Sequence, residues 1–340
     1  MCIQRFFSFL FFISTLSSLP LGVAAQSTGA FSRMGSDARG VAMGNALVAE
    51  GFGQTSGFYN PALAPYIAEQ HLMVSYSALT FDRNLQSISF ASPMKPQAGI
   101  TAGLIHGGVS KIDGRDASGY HTEDIGTNEY LVYGAFGTRI GRRTTFGIRF
   151  SYFLADYYEN VEPSTTLSLS SGITVKIREN LRLGFTTDDL LGKYRWDTSK
   201  LYEENGRETT DNLPVRLRTG AAWQSHNQKL TLSGEVESRV EKISQETPSS
   251  SVQAGILQTI SGAETLRLQS TRLRLGAEYW LSSPIALRAG LEQTEAAFLP
   301  SAGFSIRQNL GELRFKLDYA LRVEPFGTGL MHLLSLRMGL

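Results

Sequence analysis

Cysteine is almost absent. The one cysteine in 340 residues is Cys2, which excludes an intramolecular disulfide, a thiol nucleophile or a cysteine metal site further along. Long apolar runs are also missing. One such run, Phe6 to Leu19, follows the single charge Arg5 and precedes the small residues Val23-Ala24-Ala25. That pattern reads as a secretory signal, residues 1–25, and Cys2 sits too early in it to be a lipoprotein cysteine. No later run of about 18 apolar residues occurs, so spanning helices are not expected. A charge excess is missing as well: 32 basic against 31 acidic residues, net +1. Nucleic-acid binding usually needs a clear basic excess, and none is expected here. Finally, there is no Gly-x-Ser-x-Gly elbow, phosphate loop or His-Glu-x-x-His motif. The five histidines, at 71, 106, 121, 226 and 332, are scattered. No enzyme chemistry, metal or cofactor is expected.

What is present is alternation. In Leu213 to Gln224 the residues Leu213, Val215, Leu217, Ala221 and Trp223 share one face, while Arg216, Arg218 and Gln224 share the other. A strand turns successive side chains to opposite faces, so this is a ribbon with one oily and one cationic side. The pattern recurs near 70–79, 84–92, 97–108, 128–139, 144–156, 165–178, 180–187, 228–240, 271–281, 284–292, 299–308, 310–321 and 328–340. With 213–225 that makes about fourteen segments, each near the length that crosses a bilayer as a tilted strand. In 128–139 apolar residues fill both faces. The connections alternate short and long, as in outer-membrane barrels; the first hairpin, Leu79 to Arg83, is an exception. The long ones read as 110–127, 156–164, 188–212, 241–270, 292–300 and 322–327. A mean hydropathy of -0.11 suits a barrel, since half of each strand faces a polar lumen. In hydrocarbon an open sheet edge has no water to bond, so the sheet must close. The expectation is an all-β fold: a transmembrane antiparallel β-barrel, residues 70–340, set in outer-membrane lipid with both termini periplasmic. Its last apolar positions, Leu334, Leu336, Met338 and Leu340, end without the aromatic residue usual for such barrels.

Residues 26–69 do not alternate. A short helix is expected around Asp37 to Val48, capped by Ser36 or Asp37. A turn is expected at Asn60-Pro61. Apolar Phe31, Leu47, Phe58 and Leu63 need burial, so this segment reads as a luminal plug rather than a free lead-in. Two stretches, Ala38-Arg39-Gly40-Val41-Ala42-Met43-Gly44 and Tyr59-Asn60-Pro61-Ala62-Leu63, carry a resemblance. Trp196-Asp197-Thr198 through Asn212-Leu213-Pro214, and Asp318-Tyr319-Ala320 through Pro325-Phe326-Gly327, add to it. In that order they resemble the FadL-like outer-membrane proteins, most of all their PorV/PorQ subgroup. The resemblance implies a plug and a role in binding secreted cargo proteins beside the export-channel barrel of a type IX-like secretion system. The FadL-like alternative is a transporter whose ligand is a hydrophobic small molecule.

Among candidate site residues, Ala42, Met43, Gly44, Asn60, Pro61 and Ala62 form the plug and turn motif. Arg149, Arg216, Arg218, Arg272, Arg274, Arg288, Arg314, Lys316 and Glu278 are expected to face the lumen. The cations are read as pairing with Glu235, Glu237, Glu278, Glu292 and Asp318 on neighbouring strands rather than lining an anion path. Asp188, Asp189, Asp197, Glu203, Glu204, Glu208 and Asp211 read as a solvated acidic loop. Tyr194, Trp196 and Tyr202 in that loop are candidate partner contacts or interfacial anchors. Val252, Ile256, Leu257 and Ile260 recur at helical spacing, as a short helix or a strand extension.

Overall fold

The computed structural model describes residues 28–53, 56–159, 161–202, 206–244, 264–294, 297–325 and 328–339. Among these residues sixteen strands follow one another: β1 (His71–Ala78), β2 (Arg83–Met94), β3 (Ala98–Arg115), β4 (His121–Arg139), β5 (Thr144–Asp156), β6 (Ser164–Arg178), β7 (Leu181–Leu190), β8 (Lys193–Asp197), β9 (Glu208–Asn212), β10 (Val215–Gln224), β11 (Leu230–Ser244), β12 (Glu264–Trp280), β13 (Ile285–Gln293), β14 (Phe298–Leu310), β15 (Leu313–Val323) and β16 (Leu330–Gly339). Fourteen of them close into an antiparallel barrel, and β8 and β9 pair by themselves inside the connection from β7 to β10. Closure runs through β1 and β16, with His71 opposite Gly339. Among the described residues no helix is long and apolar enough to cross a membrane.

The alternation places side chains as hydrocarbon and lumen require. On β5, Phe146, Phe150 and Tyr152 are exposed while Thr145, Arg149, Ser151 and Phe153 are buried. On β16, Leu334 and Leu336 point out and Leu333, Ser335 and Arg337 point in. The same outward set includes Ile88, Phe90, Val132, Ile173, Phe185, Leu217, Leu275, Leu287 and Phe304. An apolar band of this extent would be an aggregation liability in water and is the surface expected of a strand bundle in lipid. The two-sided segment resolves cleanly. On β4, Leu131, Tyr133 and Ala135 are buried, and Tyr130, Val132 and Phe136 are exposed.

Three local expectations are corrected. The helix near 37–48 is only α1 (Ala38–Ala42), capped by the Asp37 side chain, which accepts from the Gly40 N–H. It stops because Gly44 and Asn45 take left-handed backbone, φ 61° and 58°. A Cβ on Gly44 would press on the Leu275 and Leu291 backbone, so the close approach itself favours glycine. Second, much of the expected loops 110–127 and 292–300 is strand. β3 and β4 continue pairing past a register shift between Val109 and Ile112, out to Arg115 opposite His121. β13 and β14 are separated by residues 294–297 alone. Length there comes from strands longer than a bilayer crossing needs. Third, Leu213 is 3 % exposed and belongs to the interior apolar cluster. It precedes β10, so strand parity does not govern it. The apolar positions 252–260, and Leu340, lie outside the described residues.

The N-terminal segment from Thr28 meets the inward face of the wall at many points. Phe31, Leu47, Phe58 and Leu63 are all buried. Asn60 caps a 3-10 helix (Pro61–Tyr66) by accepting from the Ala62 N–H at 2.9 Å, while its amide donates to the Val48 carbonyl at 2.6 Å. Thr145 donates to Ala62 O at 2.7 Å and Ser301 to Ala42 O at 3.3 Å. The Ala38 N–H donates to Ser335 Oγ at 2.8 Å. Gly147 and Gly172 explain how backbone and wall come so close. A Cβ at either would collide with Pro61 or Asn60.

Candidate functional site

The inward face of the barrel carries the unusual chemistry, and register builds it. Antiparallel pairing sets Arg274 opposite Glu235 and Glu237 opposite Arg272 on β11 and β12. It sets Arg274 opposite Glu292 and Glu278 opposite Arg288 on β12 and β13. Inward acids on one strand therefore meet inward arginines on the next, as Glu235 and Glu237 of β11 meet Arg274 and Arg272 of β12.

Two ionic groups result. The first belongs entirely to the wall. Arg149 reaches Asp188 at 3.0 Å, Arg218 reaches Asp188 at 2.8 Å, and Arg216 reaches Asp189 at 2.8 Å. Arg274 lies 2.7 Å from Glu235, 2.8 Å from Glu237 and 3.3 Å from Glu292. Arg239 joins Glu237 at 2.8 Å, and Arg272 and Arg322 join Glu292 at 3.0 and 2.8 Å. The second group runs through the N-terminal segment. Arg39 makes a two-pronged contact with Glu278, at 3.0 and 3.1 Å, and a further bond to Glu50 at 2.8 Å. Glu278 also accepts from Arg288 at 2.6 Å, and Arg288 and Lys316 meet Asp318 at 2.9 and 3.2 Å. Charged hydrogen bonds of this kind are the strong class, and burial raises the cost of breaking them.

The segment is held by the same cations. Arg149 donates to the Phe58 carbonyl and lies over the Phe58 ring, 5.1 Å from its centre. Arg218 donates to Tyr59 O, Arg322 to Met34 O at 3.2 Å, and Glu235 accepts from the Val48 N–H at 3.0 Å.

Of the expected lumen set, Arg149, Arg216, Arg218, Arg274, Glu278, Arg288 and Lys316 are buried, and Arg272 is partly so. Arg314 differs: its side chain is 67 % exposed, at the rim, beside Glu69. It has inward parity but stands one residue into β15, at the mouth. Ala42, Met43, Asn60, Pro61 and Ala62 are all buried.

Two readings of the 188–212 connection change. Asp188 and Asp189 are not solvated; they are 0 % and 1 % exposed and anchor the wall network. Adjacent strand residues should point opposite ways. Both point in because Asp189 has φ 61° and the β6–β7 register shifts between Leu169 and Ser171. Tyr194 is fully buried, its ring edge-on to Phe153 at 6.4 Å, so it is no surface contact. Trp196 stacks on Tyr157 at 5.0 Å and donates to Asp211 at 2.9 Å. The side chain of Tyr202 lies outside the described residues. Asp197, Glu208 and Asp211 are exposed, while Glu203 and Glu204 lie outside the description. Arg39 and Glu50 were not singled out from the sequence; nothing in a non-alternating stretch tells a buried ion pair from a surface one.

The apolar part of the interior lies toward the end of the longer connections. Ile105, Leu131, Tyr133 and Phe153 from the wall meet Phe31, Phe58, Tyr194 and Leu213 there. Two small cavities lie between the N-terminal segment and the wall. One, of about 10 Å³, is lined by Asp37, Arg39, Glu50, Tyr59 and Arg337 among others. The second, of about 30 Å³, is lined chiefly by Arg33, Arg149, Arg216, Arg218 and Arg274.

No family model and no curated sequence matches this chain. Solved structures do. The toluene transporter TodX of Pseudomonas putida superposes with a TM-score of 0.59 at 14% identity, covering 89% of this chain and 96% of that one. The toluene transporter TbuX of Ralstonia pickettii gives 0.55 at 12% identity, over 89% and 97%. A FadL homologue of Pseudomonas aeruginosa also gives 0.55 at 12% identity, over 89% and 97%. The fold is that of the FadL-like barrels. The likeness extends over nearly all of each neighbour, and the neighbours' fold supports an outer-membrane location.

Proposed function

We propose that this chain is an outer-membrane barrel that passes hydrophobic small molecules, with residues 26–69 as a luminal plug and both termini on the periplasmic side. The observation that carries the reading is the packed aromatic and aliphatic cluster around Ile105, Leu131, Tyr133, Phe153 and Leu213. A purely polar lumen has no need of such an apolar lining, and an apolar solute could pass along it once Phe31 and Phe58 give way. The neighbours named as toluene transporters support the same reading. Its charged part would hold the plug in place, and the solute would enter where Phe31 and Phe58 now pack. In proteoliposomes, the intact barrel should raise the flux of a small aromatic hydrocarbon. Replacing Phe31 and Phe58 by alanine should increase that flux. Equal flux with and without the protein would end this reading.

A second reading has its own support. Ligand pockets are typically about 300–1,000 Å³, whereas two cavities between the segment and the wall measure about 10 and 30 Å³. A closed barrel bearing structured outer elements, the β3–β4 extension and the β8–β9 sheet, suits a PorV-like binder of exported cargo beside a type IX-like secretion channel. Pull-down of the intact barrel with its own secreted proteins or a large partner barrel, together with no hydrocarbon flux, would reverse the order of the two readings.

A further inference from the structure

We propose that the crevice between the N-terminal segment and the wall binds one small monovalent anion of chloride size. The first observation is an imbalance of charge in an enclosed place. Among the described residues the wall network joins seven guanidiniums to five carboxylates. The group running through Arg39 joins three cations to three carboxylates. Guanidinium does not give up its proton in a protein, so the wall network cannot neutralise itself by titration. Arg272 is about a quarter exposed and is screened by solvent. Among the described residues the buried part of this network still holds one positive charge in excess, and uncompensated charge in a low-dielectric interior is costly.

The second observation is unsatisfied donors. Of the arginines lining the crevice, Arg149 and Arg274 each have a buried Nε without a hydrogen-bond partner. Buried polar groups are nearly always bonded, so such orphans call for a ligand. The third is space. Arg149, Arg216, Arg218 and Arg274 line one cavity of about 30 Å³, which takes a single particle of water or halide size. A carboxylate on a hydrocarbon chain does not fit while the segment stays docked. Four wall guanidiniums around one small void, two of them with an unbonded Nε, favour a halide over water. This inference is independent of which solute or cargo the barrel handles.

The test uses the purified full-length barrel in detergent. Chloride should raise its unfolding temperature saturably over gluconate at equal ionic strength, and bromide should substitute. Crystals grown in bromide should show an anomalous peak between Arg149 and Arg274. Asn45 also lines the cavity, and its left-handed backbone tolerates aspartate. Asn45→Asp places a carboxylate there, so it should abolish the chloride dependence and keep the barrel at least as stable in gluconate as the parent is in chloride. Equal unfolding temperatures of the parent in chloride and gluconate would overturn the proposal. So would an empty crevice in the bromide map, or an Asn45→Asp barrel that still responds to chloride.

Discussion

The two ionic groups inside this barrel use the same chemistry and do different jobs. The wall group ties β5, β7, β10, β11, β12, β13 and β15 to one another. The other group passes through Arg39 and Glu50, so part of it leaves whenever the N-terminal segment leaves. One is a brace for the cylinder; the other is a latch on what fills it. The difference teaches that burial and pairing alone do not reveal a role. Which parts of the chain the partners come from does.

The sharpest way to break this comparison is to cut one member of each group. Arg39→Ala leaves Glu50 and Glu278 short of a partner, and breaking a buried pair typically costs about 3–5 kcal/mol. The expected result is an intact barrel whose residues 28–69 become open to protease. Arg216→Ala should cost a similar amount, read as a lower unfolding midpoint. Its ion-pair partners, Asp189 and Glu237, are on strands, so the segment should stay protected. Equal protease sensitivity in the two variants would erase the distinction.

Steric pressure should act next. Gly172→Val pushes a side chain into Asn60, and overpacking typically costs about 1–3 kcal/mol. Hydrogen exchange should speed up at residues 60–64 and hardly change on β10 to β13. Asn60→Ala removes a cap, worth about 1 kcal/mol, and should loosen the same residues less than Gly172→Val does.

The smallest effect belongs to a pair in water. At the far tip of the β3–β4 hairpin, His121 Nδ1 lies 2.6 Å from Asp113, which also accepts from Arg115. Hydrogen bonding to Asp113 raises the His121 pKa, and the bonds from His121 and Arg115 lower that of Asp113. A raised histidine contributes stability below its unfolded value, near 6.5, and loses that contribution as pH climbs through the folded value. Proton NMR should place the His121 titration above that of a free histidine, and Asp113→Asn should return it to normal. With both side chains exposed, the barrel's unfolding midpoint should barely move. A large shift would mean that the hairpin tip matters to the cylinder as much as the lumen does.

Much of the wall was legible beforehand. Alternation in 144–156, 165–178 and 271–281 names the outward Phe150, Leu167 and Leu275 directly, because period two is a local rule. That inward cations pair with acids such as Glu235 and Glu292 on neighbouring strands was legible too, since hairpins put neighbours side by side. Asp188 and Asp189 were not, because a left-handed residue beside a register shift defeats strand parity. Leu213 and Tyr194 were misread because both lie in the β7–β10 connection, where no periodicity reports the inside. Arg39 was silent because its partner Glu278 is 239 positions away.

From the sequence by itself came a chain of about fourteen two-faced strands that has to close, because side-chain direction along a strand depends only on position. The tertiary structure decided where residues 28–69 go and which carboxylate meets which guanidinium inside the barrel. Those outcomes depend on what closure brings face to face, and no local period encodes that.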